Sequence, residues 1–413
     1  MTALLLLAYI NAALSLQLGI AVGLWMWRRK VAEANRPEPV QIDAARTQSG
    51  AWQGWREFRV ARRVLEDPAR SQCSFHLEPV DGLPLPPFKP GQFLTFSLSI
   101  PNSDGTGARR AVTRCYSLSD RPRADGYRIT VKRVAAPADR PDLPPGASSG
   151  HFHDQVHEGD VLRVKAPAGR FVLDTDAEVP AVLVAGGIGI TPMMSMLGWC
   201  LAERPARTVH LYYGVRNGRE LSFGPLLRQL ASEHRSLDLH LVYSRAEASD
   251  DSGRDAQHVG HVDIDLLRRT LPHGRHQFYV CGPAPMMESL VPSLIDWGVP
   301  RQDVHFEAFG PASVSLAHEA ASAPAAAAAP VEVRFSRSGR TLVWEGRDES
   351  LLEFAERHGV PVESGCRSGS CGTCEARLES GDVAYANPPD HDITTGHCLL
   401  CVGRPFSALV LDA

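Results

Sequence analysis

The sequence predicts a multidomain fold: an N-terminal transmembrane helix, an antiparallel β-barrel, an α/β domain on a parallel sheet, and a C-terminal α+β domain. Three observations lead there. At 413 residues the chain is too long for one hydrophobic core. Residues 3 to 26 are almost wholly apolar. Beyond residue 49 the hydrophobic pattern changes from short alternating runs to a continuous run bordered by glycines, and an Ala/Ser/Pro tract then sets off the last part.

Composition narrows the function classes. Hydrophobic residues make up 44% and charged residues 22%, ordinary values for folded domains. A net charge of -4 argues against nucleic-acid binding, because neutralising phosphates needs a basic face. Of nine cysteines, five fall in one loop and the C-terminal tail, four of them in one cluster pattern, which points to reduced thiols holding a metal centre rather than to disulfides.

Taken in order, residues 1–27 read as a membrane anchor. The 24 apolar residues from 3 to 26, at ~1.5 Å each, reach ~36 Å and exceed a hydrocarbon core of ~30 Å. No Lys or Arg precedes them, whereas Arg28, Arg29 and Lys30 follow at once. That asymmetry places the N-terminus outside and the rest in the cytoplasm, a single pass through the inner membrane. A cleaved signal peptide would carry its charges on the other side. Residues 28–48, with Pro37 and Pro39, read as a stalk.

Residues 49–174 show short alternating runs such as Phe93-Leu-Thr-Phe-Ser-Leu98 and Tyr127-Arg-Ile-Thr-Val-Lys132, the pattern of a small antiparallel barrel. Within it stand Arg114, Tyr116 and Ser117. A cation, an aromatic platform and a hydroxyl on one strand offer partners to a flavin's phosphate, ring and ribityl chain, although the hexapeptide from Arg114 to Ser119 also suits a half-buried edge strand. Gly146 and Ser149 stand at a predicted helix start, where backbone N–H groups point at a pyrophosphate.

Residues 175–311 open with Ala181-Val-Leu-Val-Ala185, a strand buried on both faces. Gly186, Gly187 and Gly189 follow, then a helix from Met193; glycines between strand and helix admit a pyrophosphate to the helix N-terminus. Further strands are predicted at 209–213, 239–243 and 276–280, the last running into Cys281-Gly282-Pro283. Residues 312–330 are nearly all Ala, Ser and Pro and read as a linker that lets the last domain move.

Residues 331–413 are predicted as strand, turn, strand and a helix over 350–358, then Cys366-x4-Cys371-x2-Cys374 with Cys398 and Cys401 far downstream. Four thiolates in that order match [2Fe-2S] spacing, whereas zinc sites usually space two separate C-x2–4-C pairs. Either Cys398 or Cys401 supplies the fourth ligand on spacing alone. This domain carries eight Arg and no Lys against thirteen Asp plus Glu, a net of -5.

On these motifs residues 49–311 resemble a ferredoxin-NADP reductase-type module, most closely the reductase half of flavohaemoglobins, and the C-terminal domain resembles a plant-type β-grasp ferredoxin. The resemblance implies that Arg114, Tyr116, Ser117, Gly146 and Ser149 hold FAD. It implies that Gly186, Gly187, Gly189, Thr191 and Pro192, in a G-G-x-G-x-T-P signature, hold NADH or NADPH. It places Gly282, Pro283 and Met286, in C-G-P-x-x-M, beside the nicotinamide, with Cys281 and Glu307 as catalytic residues and Phe309 as an aromatic gate over the flavin. The L-x-C ending selects Cys401 beside Cys366, Cys371 and Cys374 as cluster ligands and leaves Cys398 a packing thiol. The domain order resembles that of phthalate dioxygenase reductases. A hydride donor, a flavin and a one-electron centre in series imply an electron-transfer reductase serving a terminal oxygenase, desaturase or hydroxylase, and the predicted anchor makes a membrane-embedded acceptor one expectation. A direct quinone or small-acceptor dehydrogenase and a membrane redox sensor are the alternatives. No globin-like segment precedes residue 49, so nitric-oxide dioxygenase activity is not expected.

Overall fold

The computed structural model describes residue 52 and residues 54–413, apart from 102–107, 137–144, 248–249, 251–256, 309–329, 347–348, 368, 370, 386–388 and 390. The predicted anchor, the stalk, Phe309 and all of the linker but its last residue lie outside them. Among the described residues no helix is long and apolar enough to cross a membrane.

Strands β1 (Arg56–Leu65), β2 (Gln72–Pro79), β3 (Phe93–Pro101), β4 (Arg109–Ser117), β5 (Tyr127–Lys132) and β6 (Val161–Ala168) form an antiparallel sheet in the order β4-β3-β6-β1-β2-β5. Alternation places the core: Phe58 and Val60 are buried while Glu57 and Arg59 are exposed. A bridge between Leu118 and Ile129, with Ser119 N–H donating to Arg128 O at 2.8 Å, ties the end of β4 back to β5. Helix α1 (Ala147–Asp154) plugs this curled sheet through Phe152, which meets Phe75 edge-on at 5.1 Å and Phe96 at 5.6 Å.

The second sheet is parallel, in the order β10-β9-β8-β7-β11-β12, from β7 (Ala181–Gly186), β8 (Val209–Val215), β9 (Leu237–Tyr243), β10 (His258–Val259), β11 (Gln277–Gly282) and β12 (Val304–Ala308). Strands β7 and β11 are buried at every position, because helices cover both faces. Helices α2 (Ile190–Glu203) and α3 (Gly224–Glu233) pack over one face, α4 (Ile264–Thr270) and α5 (Ala284–Asp296) over the other. Each fully buried Leu or Val contributes roughly 1.5–3 kcal/mol.

The third sheet, β14-β13-β19-β15-β17, joins β13 (Val331–Phe335), β14 (Arg340–Trp344), β15 (Glu375–Ser380), β17 (His397–Leu399) and β19 (Leu409–Asp412). Beside it β16 (Val383–Tyr385) pairs with β18 (Gly403–Pro405). Helix α6 (Leu351–Arg357) starts at a capping box, Ser350 Oγ accepting from Glu353 N–H while the Glu353 carboxylate accepts from Ser350 N–H.

The first two sheets are stitched together by the loop after β8. Lys132 Nζ pairs with Glu220 at 3.2 Å, Ala69 N–H donates to Arg219 O at 2.8 Å, and Arg128 stacks 5.0 Å over the Phe223 ring. Gly91, at φ +106°, makes a close approach: a Cβ there would lie 2.2 Å from Phe171 O and 2.6 Å from Met196 Cε.

Candidate redox site

Strand β4 carries the predicted flavin residues. Tyr116 turns inward, edge-on to Phe152 at 5.0 Å and Phe96 at 5.8 Å, and burial pushes its phenol pKa up. Arg114 donates to Thr113 O at 2.7 Å, and burial draws its guanidinium pKa down. Ser117 is buried at the strand end, opposite Phe93. Gly146 caps α1 with no side-chain cap, leaving the N–H groups of the first helical turn without intrahelical partners. Ser149 Oγ donates to Gly146 O at 2.9 Å and accepts from Val134 N–H at 3.1 Å, so its hydroxyl shapes the turn whose N–H groups suit a phosphate.

The nucleotide loop is built by two glycine turns pressed together. A Cβ on Gly189 would lie 2.1 Å from Cys281 O, and one on Gly282 would lie 3.1 Å from Gly186 Cα. One on Gly186 would meet Pro283 Cδ at 2.7 Å and Met286 Sδ at 2.9 Å. These three glycines admit backbone against backbone. Gly187 differs: it has φ +53°, and the nearest atom to its absent Cβ is Lys132 Nζ, 4.0 Å away on the flavin-side sheet. It is therefore the glycine of this turn with room for a ligand. Thr191 is buried and donates to Ile188 O at 3.0 Å, and Pro192 follows it in the first turn of α2, which begins at Ile190 rather than at Met193. Cys281 is fully buried, and burial with the neighbouring Glu307 carboxylate pushes its thiol pKa well up, so it stays protonated. Glu307 lies opposite Cys281 on β12, and the next pair, Gly282 with Ala308, leads directly to position 309. Ser244 Oγ lies 3.4 Å from Val215 O, while Arg245 is exposed beyond β9.

The iron–sulfur loop brings its cysteines together in two pairs. Cys366 N–H donates to Cys371 Sγ at 3.2 Å, and Cys401 N–H donates to Cys374 Sγ at 3.4 Å. A hydrogen bond from Cys401 also draws the Cys374 thiol pKa down. Two sulfur pairs, each with a backbone N–H aimed at a sulfur, suit two irons held by thiolates. The loop turns through left-handed Arg367 (φ +60°), Gly369 (φ +79°) and Gly372 (φ +69°), and a Cβ on Gly372 would strike the His391 ring at 2.3 Å. Cys398 lies in the core of this domain, where burial pushes its thiol pKa up to about 12.

Sequence reasoning passed over Cys115. Its Sγ and those of Cys366 and Cys371 all lie within 4.8 Å of one another, and Thr113, on the same face of β4, lies 3.2 Å from where a Gly365 Cβ would be. The iron–sulfur loop thus rests on the strand whose other face carries Arg114 and Tyr116. A second cluster, His210, Asp238 and His240, sits at the strand ends opposite the glycine turns and is satisfied internally, with Asp238 Oδ2 3.0 Å from His210 Nδ1 and 2.9 Å from His240 Nε2.

Comparison with known proteins agrees with this layout. Residues 183–291 match the oxidoreductase NAD-binding domain, and residues 333–405 match the 2Fe-2S iron-sulfur cluster binding domain. A flavohemoprotein of Halalkalibacterium halodurans is 40% identical over 262 residues, 63% of this chain and 61% of the relative. The chain therefore spans about three fifths of that protein's length. The FAD/NAD-binding domain of the Vibrio cholerae nitric oxide dioxygenase is 31% identical with a TM-score of 0.54, covering 62% of this chain and 99% of that one. Phthalate dioxygenase reductase, a modular structure for electron transfer from pyridine nucleotides to [2Fe-2S], is 32% identical with a TM-score of 0.51, covering 87% of this chain and 98% of that one. With nearly the whole of that reductase covered at this identity, this chain belongs to the family of ferredoxin reductase-type flavin and iron–sulfur oxidoreductases, enzymes that use NAD(P)H, FAD and a [2Fe-2S] cluster.

Proposed function

We propose that the protein is a membrane-anchored NAD(P)H-dependent reductase that passes electrons through FAD and the [2Fe-2S] cluster to a separate terminal acceptor, an oxygenase, desaturase or hydroxylase. The observation that carries this reading is the seating of the iron–sulfur loop on β4: Cys366 and Cys371 meet Cys115 between the two residues predicted to hold the flavin. The bound flavin supplies the conversion of a two-electron hydride into single electrons. The chain's residues do the rest. Gly187 leaves space for the nucleotide at the lobe junction, Tyr116 and Arg114 offer the flavin an aromatic platform and a cation, and β4 holds the one-electron centre close by.

The apolar run over residues 3–26, followed by Arg28, Arg29 and Lys30, supports insertion in the inner membrane with the catalytic domains in the cytoplasm. A membrane-bound acceptor then meets the reductase in two dimensions. Anaerobic titration of the detergent-solubilised protein with NADH and with NADPH, followed by identification of co-purifying membrane proteins, tests the reading. Bleaching of both flavin and cluster absorption with an oxygenase, desaturase or hydroxylase co-purifying is the expected result. Quinone reduction far faster than delivery to any such protein would make it a quinone reductase instead.

A further inference from the structure

We propose that Cys115 is a positioning residue for the iron–sulfur centre: its S–H donates to the sulfurs of Cys366 and Cys371, seating the loop on the flavin strand and raising the cluster's reduction potential. The inference rests on the reading that a [2Fe-2S] cluster occupies the four-cysteine loop. Cys115 lies on β4 between Arg114 and Tyr116, but strand alternation turns its side chain to the opposite face. On that face its sulfur shares a 4.8 Å sphere with two ligand sulfurs from a segment some 250 residues later in the chain. Thr113 on the same face meets the loop at Gly365, where any larger residue would also crowd Cys371 Sγ at 2.7 Å and Thr373 Oγ1 at 2.9 Å. The contact is therefore one face of a strand against one loop.

Thr95, buried on β3 and paired in register with Cys115, places its hydroxyl 3.5 Å from Cys115 Sγ. A Thr95 O–H donating to that sulfur leaves the Cys115 S–H directed across the contact. Cys115 stands apart from the four ligands: it comes from a strand of another domain and its own spacing fits no cluster motif. Reduction adds an electron to the cluster, and donors to its sulfurs stabilise the more negative state. Removing this donor should therefore lower the potential without removing iron.

The experiment uses the full-length holoprotein and Cys115→Val, which keeps a similar volume without a donor, beside Cys115→Ser, which keeps one. Iron and sulfide content and the spectrum of the reduced cluster report whether the cluster is present. Potentiometric titration followed by electron paramagnetic resonance reads the midpoint. We expect two irons per chain in all three proteins, a negative shift in Cys115→Val, and a smaller shift in Cys115→Ser. Equal midpoints in all three would overturn the proposal, as would an equal shift in Val and Ser, which packing alone would explain. Loss of iron from Cys115→Val with wild-type flavin content would also overturn it, because Cys115 would then be a ligand. Absence of iron from the wild-type protein would instead remove the cluster reading itself.

Discussion

At the scale of single residues, position separates two cysteines that stand three apart in the chain. Cys398 on β17 pairs with Ala376 and faces the domain core, whereas Cys401 lies beyond the strand with its N–H on Cys374 Sγ. Cys398→Ser is expected to keep the full cluster absorption at a stability cost of about 1–3 kcal/mol for a buried hydroxyl. Cys401→Ser should lose the cluster while NAD(P)H-dependent dye reduction by the flavin persists. Visible spectra with iron analysis check both; iron lost from the first variant and retained by the second would reverse the assignment. The glycines show how far single letters can be read. That Gly186, Gly189 and Gly282 must be glycine was legible, but the reason was not: they admit each other's backbones, and Gly187 alone of these four keeps room for a ligand.

At the scale of elements, periodicity located what was long and regular. The alternation of the barrel strands, the unbroken apolar run of β7 and the capping box at Ser350 each has a local cause that the sequence carries. Strand β12 was missed because His305 and Glu307 interrupt its apolar run, and its place at the sheet edge depends on pairing with β11. The seating of Cys115 was missed for a related reason: a contact between a barrel strand and a loop in another domain leaves no local pattern. The cluster joining β8 and β9 also depends on register, since His210 stands opposite Asp238 only once the strands pair. Hydrogen bonds from His210, then His240, hold the Asp238 carboxyl well below the usual carboxylate range. A depressed acid contributes stability that is complete above its unfolded pKa, near ~3.9, and fades as pH falls toward the folded value. His258, lowered by burial and by His240, faces the same group and takes up a proton only at pH below its ordinary range. Asp238 is about half exposed, so solvent screening limits the expected cost of Asp238→Asn to about 1 kcal/mol. Urea midpoints of the two proteins should differ by a constant amount from pH 8 to pH 5 and converge below about pH 4. A gap that closed between pH 8 and pH 6 would show imidazole titration in control instead.

At the scale of the whole molecule, the docked arrangement creates a question of delivery. With the Cys366 and Cys371 side of the iron–sulfur loop against β4, the cluster faces the flavin strand, well placed to receive an electron but with that side closed to an outside protein. Residues 312–330, which lie outside the described residues, are nearly all Ala, Ser and Pro. Fully extended, nineteen residues at ~3.1 Å each span roughly 60 Å. On the proposed reading, the ferredoxin domain leaves β4 after reduction and swings to a separate acceptor, and an anchor at residues 3–26 would confine both partners to a plane and raise their effective concentration. Deleting residues 314–328 is therefore expected to slow delivery to the acceptor at least tenfold, the loss that follows when a linker no longer spans two sites. Reduction of the flavin by NAD(P)H should be unchanged, because none of the deleted residues belongs to the first two sheets. Stopped-flow absorbance separates the two steps in membranes containing the acceptor. If the shortened chain reduced its partner at the full rate, the cluster would be delivering from its seat on β4, through the Cys374 and Cys401 side of the loop.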